Sequence, residues 1–142
     1  MASESATGST MSQHATGPFE VKLNPLDAYN TSDASFGRRS IDKHFHGDLE
    51  AVSQGEMLSV GTSRDDAGYV AMERVTGTLA GRKGSFALMH NATITAGVPY
   101  LNIVVVPGSG TGELIGLSGK MNIVIAPGGA HSYEFEYSLD AT

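Results

Sequence analysis

Three residues carry the most useful chemistry in this sequence. Tyr69 and Glu73 lie in an alternating run, Tyr69–Leu79, and His90 lies in a second one, Ser85–Ile94. Alternate residues of a strand share a face, so Tyr69 and Glu73 point the same way. Centring a hairpin on Arg82-Lys83 matches Leu79 with Phe86, Gly77 with Leu88 and Val75 with His90. That register makes Glu73 and His90 diagonal neighbours on a mostly apolar face. A carboxylate and an imidazole facing an apolar interior have perturbed protonation equilibria and can exchange protons at neutral pH. The chemistry this implies is cofactor-free isomerisation, elimination or cyclisation. Glu73 would act as base, with His90 and Tyr69 orienting or donating. The competing reading is a buried polar network with a purely structural role, or an inverted face that leaves both groups in water.

A second constellation is His44-Phe45-His46 with Glu50, whose spacing copies the HxHxxxE box of metal-binding cupin strands. Both imidazoles share a face and could reach one ion. Pro127-x-Gly129-x-His131 resembles the second cupin box, although its histidine comes one residue early. Ile41 and Phe45 alternate with Asp42, His44 and His46, which fits equally a polar outer face with no ligand role. Gly108-x-Gly110-x-Gly112 is not a dinucleotide fingerprint, because Leu114-Ile115-Gly116-Leu117-Ser118-Gly119 follows it and is not helical. A wide hairpin connection is expected there. Asn30-Thr31-Ser32 and Asn91-Ala92-Thr93 are glycosylation sequons in form only. No nucleophile-elbow pattern supports Ser-His-Asp catalysis.

The elements that must position these groups are all strands. Phe19, Val21 and Leu23 alternate with Glu20, Lys22 and Asn24, and Pro25 ends that run. Seven further runs follow: Ser40–His46, Glu50–Val60, Tyr69–Leu79, Ser85–Ile94, Tyr100–Val106, Leu114–Ile125 and Ser132–Leu139. Glycine-rich turns separate them, and no segment keeps a helical period. Eight strands at roughly 15 residues per strand and turn suit a small closed up-and-down barrel. The 18 glycines then serve turns and the bending of a closing sheet. A three-residue Gly128-Gly129-Ala130 loop pairs Ile125 with Tyr133, Ile123 with Phe135 and Met121 with Tyr137. Residues 26–39 form the longest irregular stretch. Residues 1–17, rich in serine, threonine and glycine, read as a disordered arm or leader, with Met11 an alternative start and residues 18–142 the barrel domain. Leu101 to Val106 is apolar on both faces over its later half, which suggests cover by a partner subunit or by the arm.

Composition removes several function classes. The 142 residues contain no cysteine, so disulfides, thiolate metal sites and a cysteine nucleophile are excluded. A net charge of −6 leaves no electrostatic footprint for nucleic acid. No run approaches the length of a transmembrane helix. The opening MASESATGST lacks the features of a secretory signal, which leaves the cytoplasm as the expected compartment.

The order Gly68-Tyr69-Val70, Glu73, Gly77-Thr78-Leu79, Gly81-Arg82, Gly84-Ser85-Phe86 and His90 resembles a bacterial family known only as a domain of unknown function. Pro107 to Leu114, Gly116-Leu117-Ser118-Gly119, His131-Ser132-Tyr133 and Tyr137-Ser138-Leu139 continue the match. That family in turn resembles the allene oxide cyclase-like barrels. The resemblance implies an eight-stranded antiparallel barrel rather than a sandwich, and it brings no catalytic residue. The sequence thus predicts an all-β barrel that binds a small apolar or aromatic molecule. Phe86, Leu88, Met121, Tyr133, Phe135 and Tyr137 are expected to line its lumen. A non-catalytic carrier, or a cupin-like metal-dependent enzyme using His44, His46, Glu50 and His131, are the alternatives. No resident cofactor or metal is expected, nor a nucleic-acid or membrane partner, whereas a homo-oligomer is.

Overall fold

The computed structural model describes residues 12–139. Among these residues nine strands follow one another: β1 (Gln13–Leu26), β2 (Phe36–Phe45), β3 (Leu49–Ser63), β4 (Asp66–Leu79), β5 (Arg82–Thr95), β6 (Val98–Val105), β7 (Thr111–Gly112), β8 (Leu117–Ile125) and β9 (His131–Leu139). Eight of them close into an antiparallel up-and-down barrel, because β4 pairs with β5 and β9 pairs back onto β1. The short β7 adds to the start of β5, with Gly84 opposite Gly112. No helix among the described residues is long and apolar enough to cross a membrane.

The alternation read from the sequence becomes the barrel's inside and outside. Phe19, Phe45, Leu49, Val75, Phe86, Leu88, Ile103, Met121 and Phe135 point inward and are buried. Glu134 and Glu136 point outward opposite Asn122 and Lys120, as expected. Two details differ. β1 begins at Gln13, opposite Tyr137, so residues 13–17 of the expected arm are wall. The expected leader and the alternative start at Met11 lie outside the described residues. The run from Leu114 to Ile125 is divided. Leu114 sits in the connection between β7 and β8 and is folded into the core, and β8 starts at Leu117.

Both registered hairpins keep their predicted faces but slip along the strand. In the β4–β5 hairpin Leu79 opposes Arg82, and Val75 opposes Phe86. The turn is the two residues Ala80 and Gly81, at φ 49° and 84°. Such a mirror-image turn follows the twist of the flanking strands, so the hairpin closes sooner than a loop centred on Arg82-Lys83. In the β8–β9 hairpin Ile125 opposes His131, and Tyr133 opposes Ile123. Its loop is therefore Ala126 to Ala130, tied by the Ala126 N–H donating to the Ala130 carbonyl at 2.8 Å. Each slip is an even number of residues, and for that reason no side chain changes face.

The wall has one thin seam. β6 and β8 share only Ile103 opposite Met121 and Val104 opposite Lys120. Beyond those two pairs, Val98–Asn102 and Asn122–Ile125 form no ladder with each other. This unpaired stretch lies at the same end of the barrel as the start of β4 and the end of β5.

Candidate functional site

Four consecutive strands each turn one polar side chain into the interior: Lys43 from β2, Ser53 from β3, Glu73 from β4 and His90 from β5. All four are buried. They converge on Glu73. Its Oε1 accepts a hydrogen bond from Ser53 Oγ at 2.6 Å. Its Oε2 meets Lys43 Nζ at 2.8 Å and His90 Nε2 at 2.5 Å. Tyr69, farther along β4, places its hydroxyl 3.4 Å from His90 Nδ1. Lys43 Nζ also lies over the Phe19 and Phe45 rings, at 5.3 and 5.7 Å from their centroids.

Gly55 makes this packing feasible. It stands opposite Glu73 in the β3–β4 ladder, and a Cβ there would lie 2.7 Å from Glu73 Cα and 2.8 Å from its Cβ. The missing side chain lets Glu73 enter the wall without displacing its neighbours.

Electrostatics then fix the protonation pattern. Burial pushes the Glu73 pKa up, but the His90 hydrogen bond and the Lys43 charge outweigh it and bring the pKa down to about 2. Glu73 is therefore an acceptor only, so His90 Nε2 must donate to it. In the neutral ring Nδ1 is then left to accept. Burial and the Glu73 charge raise the Tyr69 pKa, so its hydroxyl stays protonated and, with the ring neutral, is the donor to Nδ1. The result is a directed chain, Tyr69 to His90 to Glu73, anchored by Lys43 and Ser53.

The chain forms part of an apolar cavity of about 220 Å³ at the end of the barrel where the seam lacks a ladder. Phe19, Ile41, Met57, Leu101, Ile123 and Ile125 provide its apolar walls, and Lys43, Tyr69, His90 and His131 its polar points. A neighbouring hollow of about 330 Å³ shares Met57, Tyr69 and Leu101 and widens the mouth towards Arg39 and Tyr100.

The predicted residues sort clearly against this geometry. Tyr69, Glu73 and His90 are together, with Ala71 rather than Val75 opposite His90. Glu73 and His90 are diagonal neighbours in either register. Lys43 and Ser53 were missed, although Lys43 sits between Ile41 and Phe45 at the inward parity, which was a readable signal. The six expected lumen residues do face the interior. Phe86, Leu88, Met121, Tyr133, Phe135 and Tyr137 form the packed core and do not line the mouth cavity. Aromatic stacking explains the filling, with Phe86 and Phe135 at 5.8 Å and Phe135 and Tyr137 at 5.2 Å. Tyr133 also has a hydrogen-bonding role, donating to the His46 carbonyl at 2.7 Å and accepting from the Leu49 N–H at 2.9 Å. The cupin-like set assembles only in part, with Glu50 beside His46 but His131 apart. His44 and His46 are on the outer face, while His131 lies at the cavity against Phe19 with ring centroids 5.3 Å apart.

Comparison with curated proteins returns no match. A solved structure of a protein of unknown function from the DUF3224 family, from Shewanella oneidensis MR-1, is similar to this chain at 48% identity. It matches with a TM-score of 0.88 over 93% of this chain and 100% of its own. The family model described as protein of unknown function (DUF3224) matches residues 15–137. With nearly the whole barrel inside that match, the chain belongs to the DUF3224 family.

Proposed function

We propose that this barrel binds a small apolar or aromatic molecule at its open end, in the cytoplasm, and that His90 exchanges a proton with it through Tyr69. The observation that carries this reading is a buried, directed polar chain reaching the wall of an otherwise apolar cavity. Ligand sites are typically apolar hollows with a few convergent polar groups. The geometry favours a different division of labour from the one suggested by residue types. A carboxylate with a pKa of about 2 and partners on both oxygens is a weak base at neutral pH. Glu73 thus serves as the anchor that holds the His90 ring in place. His90 is the proton-exchanging group, and Tyr69 carries the proton to the ligand. Isomerisation, elimination or cyclisation without a cofactor is the matching reaction class.

The test is a screen of apolar and aromatic compounds by thermal shift, followed by transfer of each hit into D₂O. Binding should disappear in Met57→Trp, which fills the mouth, and exchange of an acidic ligand C–H should disappear in His90→Gln. Binding that survives Met57→Trp refutes the site. Binding without any exchange leaves a carrier in which the chain only holds and orients the ligand.

A second copy of the chain is the proposed cover for the outer apolar face. Leu58, Val70, Met72 and Met89 point outward on adjoining strands and surround a hollow of about 610 Å³. Arg38 and Glu56 border it, joined at 2.7 Å. A border carrying both signs is self-complementary across a two-fold axis.

A further inference from the structure

The outer face of β1 and β2 holds a cluster that the cavity does not use. Strand alternation turns His44 and His46 outward on either side of buried Phe45, and the β1–β2 ladder places Glu20 opposite His44. The nitrogen and oxygen donors of Glu20, His44 and His46 all lie within 4.8 Å of one another. The two imidazoles stack, with centroids 4.2 Å apart and planes 23° apart. His46 Nε2 is 2.8 Å from Glu20 Oε1, while its Nδ1 faces Glu50 Oε2 at 3.8 Å. Glu50 is itself held, its Oε1 accepting from the Gly47 N–H at 2.9 Å.

We propose that Glu20, His44 and His46 bind a divalent transition-metal ion, with Glu50 orienting His46 from behind. Two imidazoles and a carboxylate form a ligand set for zinc, cobalt or nickel, which take nitrogen donors at about 2.0–2.1 Å. Ligands around such an ion sit roughly 3–3.5 Å apart, and small side-chain rotations bring exposed donors at the present spacing into that range. The carboxylate behind the ligating imidazole is the usual outer-shell arrangement, fixing ring orientation and raising basicity. A simple ion pair accounts for Glu20 and His46 but gives His44 no role. Three protein ligands leave positions open, and Glu20 and His44 border a hollow of about 610 Å³ that also includes Lys22, Gln54 and Arg74. The ion would therefore be reachable from solvent and from a small polar ligand.

The experiment is calorimetric titration of the full chain with zinc or nickel chloride after chelator treatment, with circular dichroism to verify the fold. One ion per chain should bind. Glu20→Gln, His44→Gln and His46→Gln should each weaken binding at least about tenfold, and Glu50→Gln by about tenfold. His14→Gln and His131→Gln should leave it unchanged. No binding by the native chain, or binding that survives His44→Gln and His46→Gln, overturns the proposal. All four altered residues lie on the surface side of the wall, so loss of binding with an intact spectrum reads the site and not the fold.

Discussion

At the scale of single residues, Glu73 is the group on which the buried polar cluster depends. Its carboxylate is lowered to about 2 in the fold, against roughly 4.3 in an unfolded chain. A depressed acid stabilises the fold above its unfolded pKa, and that contribution is lost as the pH falls towards the folded value. The shift corresponds to about 3 kcal/mol at neutral pH. Denaturant titrations from pH 5 to pH 2 should show a stability decline of that order assignable to Glu73. Glu73→Gln should remove this component of the slope while being less stable at pH 7, because Lys43 is left buried without its counter-charge. An unchanged slope in the variant would mean that Glu73 is not the group that titrates. The residue types of this cluster were partly legible. Glu73, His90 and Tyr69 follow from alternation alone, and Lys43 follows from the same rule applied to the Ile41–Phe45 run. Glu20 of the outer His44–His46 cluster was not legible, because its meeting with His44 depends on which residue of β1 faces which residue of β2.

At the scale of elements, faces could be read and registers could not. Apolar matching across Tyr69–Leu79 and Ser85–Ile94 accepts pairings that differ by four residues, since Phe86 finds an apolar partner in either Leu79 or Val75. Ala80-Gly81 decides between them, and an alanine at positive φ does not announce a tight turn as asparagine would. Lumen filling was hidden for a related reason. Alternation shows that Phe86, Phe135 and Tyr137 face inward, but not that their rings stack across the interior and leave the space at the other end. The two-pair seam between β6 and β8 is the weakest joint of the wall. Amide hydrogen exchange should be faster at Leu101 and Asn102 than at Val75 or Leu88, whose strands share a long ladder. Equal protection would show that the mouth does not open along this seam.

At the scale of the whole molecule, the outer surface is unevenly apolar. Val70 and Met72 are 54% and 50% exposed on adjacent outward positions of β4. Sedimentation at micromolar concentration should reveal a dimer, and Met72→Glu should return it to monomer with its thermal midpoint nearly unchanged. A native chain that stays monomeric over that range removes the second copy as the cover of this face. The barrel's eightfold closure and all-β character were readable from strand count and turn spacing. Its asymmetry, one end packed and the other open, depends on which inward side chains meet and so emerges only in three dimensions. The buried ion pair has a further consequence for how the chain chooses its arrangement. A two-residue slide of β2 along β3, or of β3 along β4, keeps every apolar residue inside and is nearly neutral by hydrophobic matching. The same slide would take Lys43 or Ser53 away from Glu73 and strand a charge in an apolar interior, at several kcal/mol. Ionic contact thus acts as an arbiter among alternatives that oiliness alone cannot tell apart, and it does so at the mouth, where the wall is thinnest.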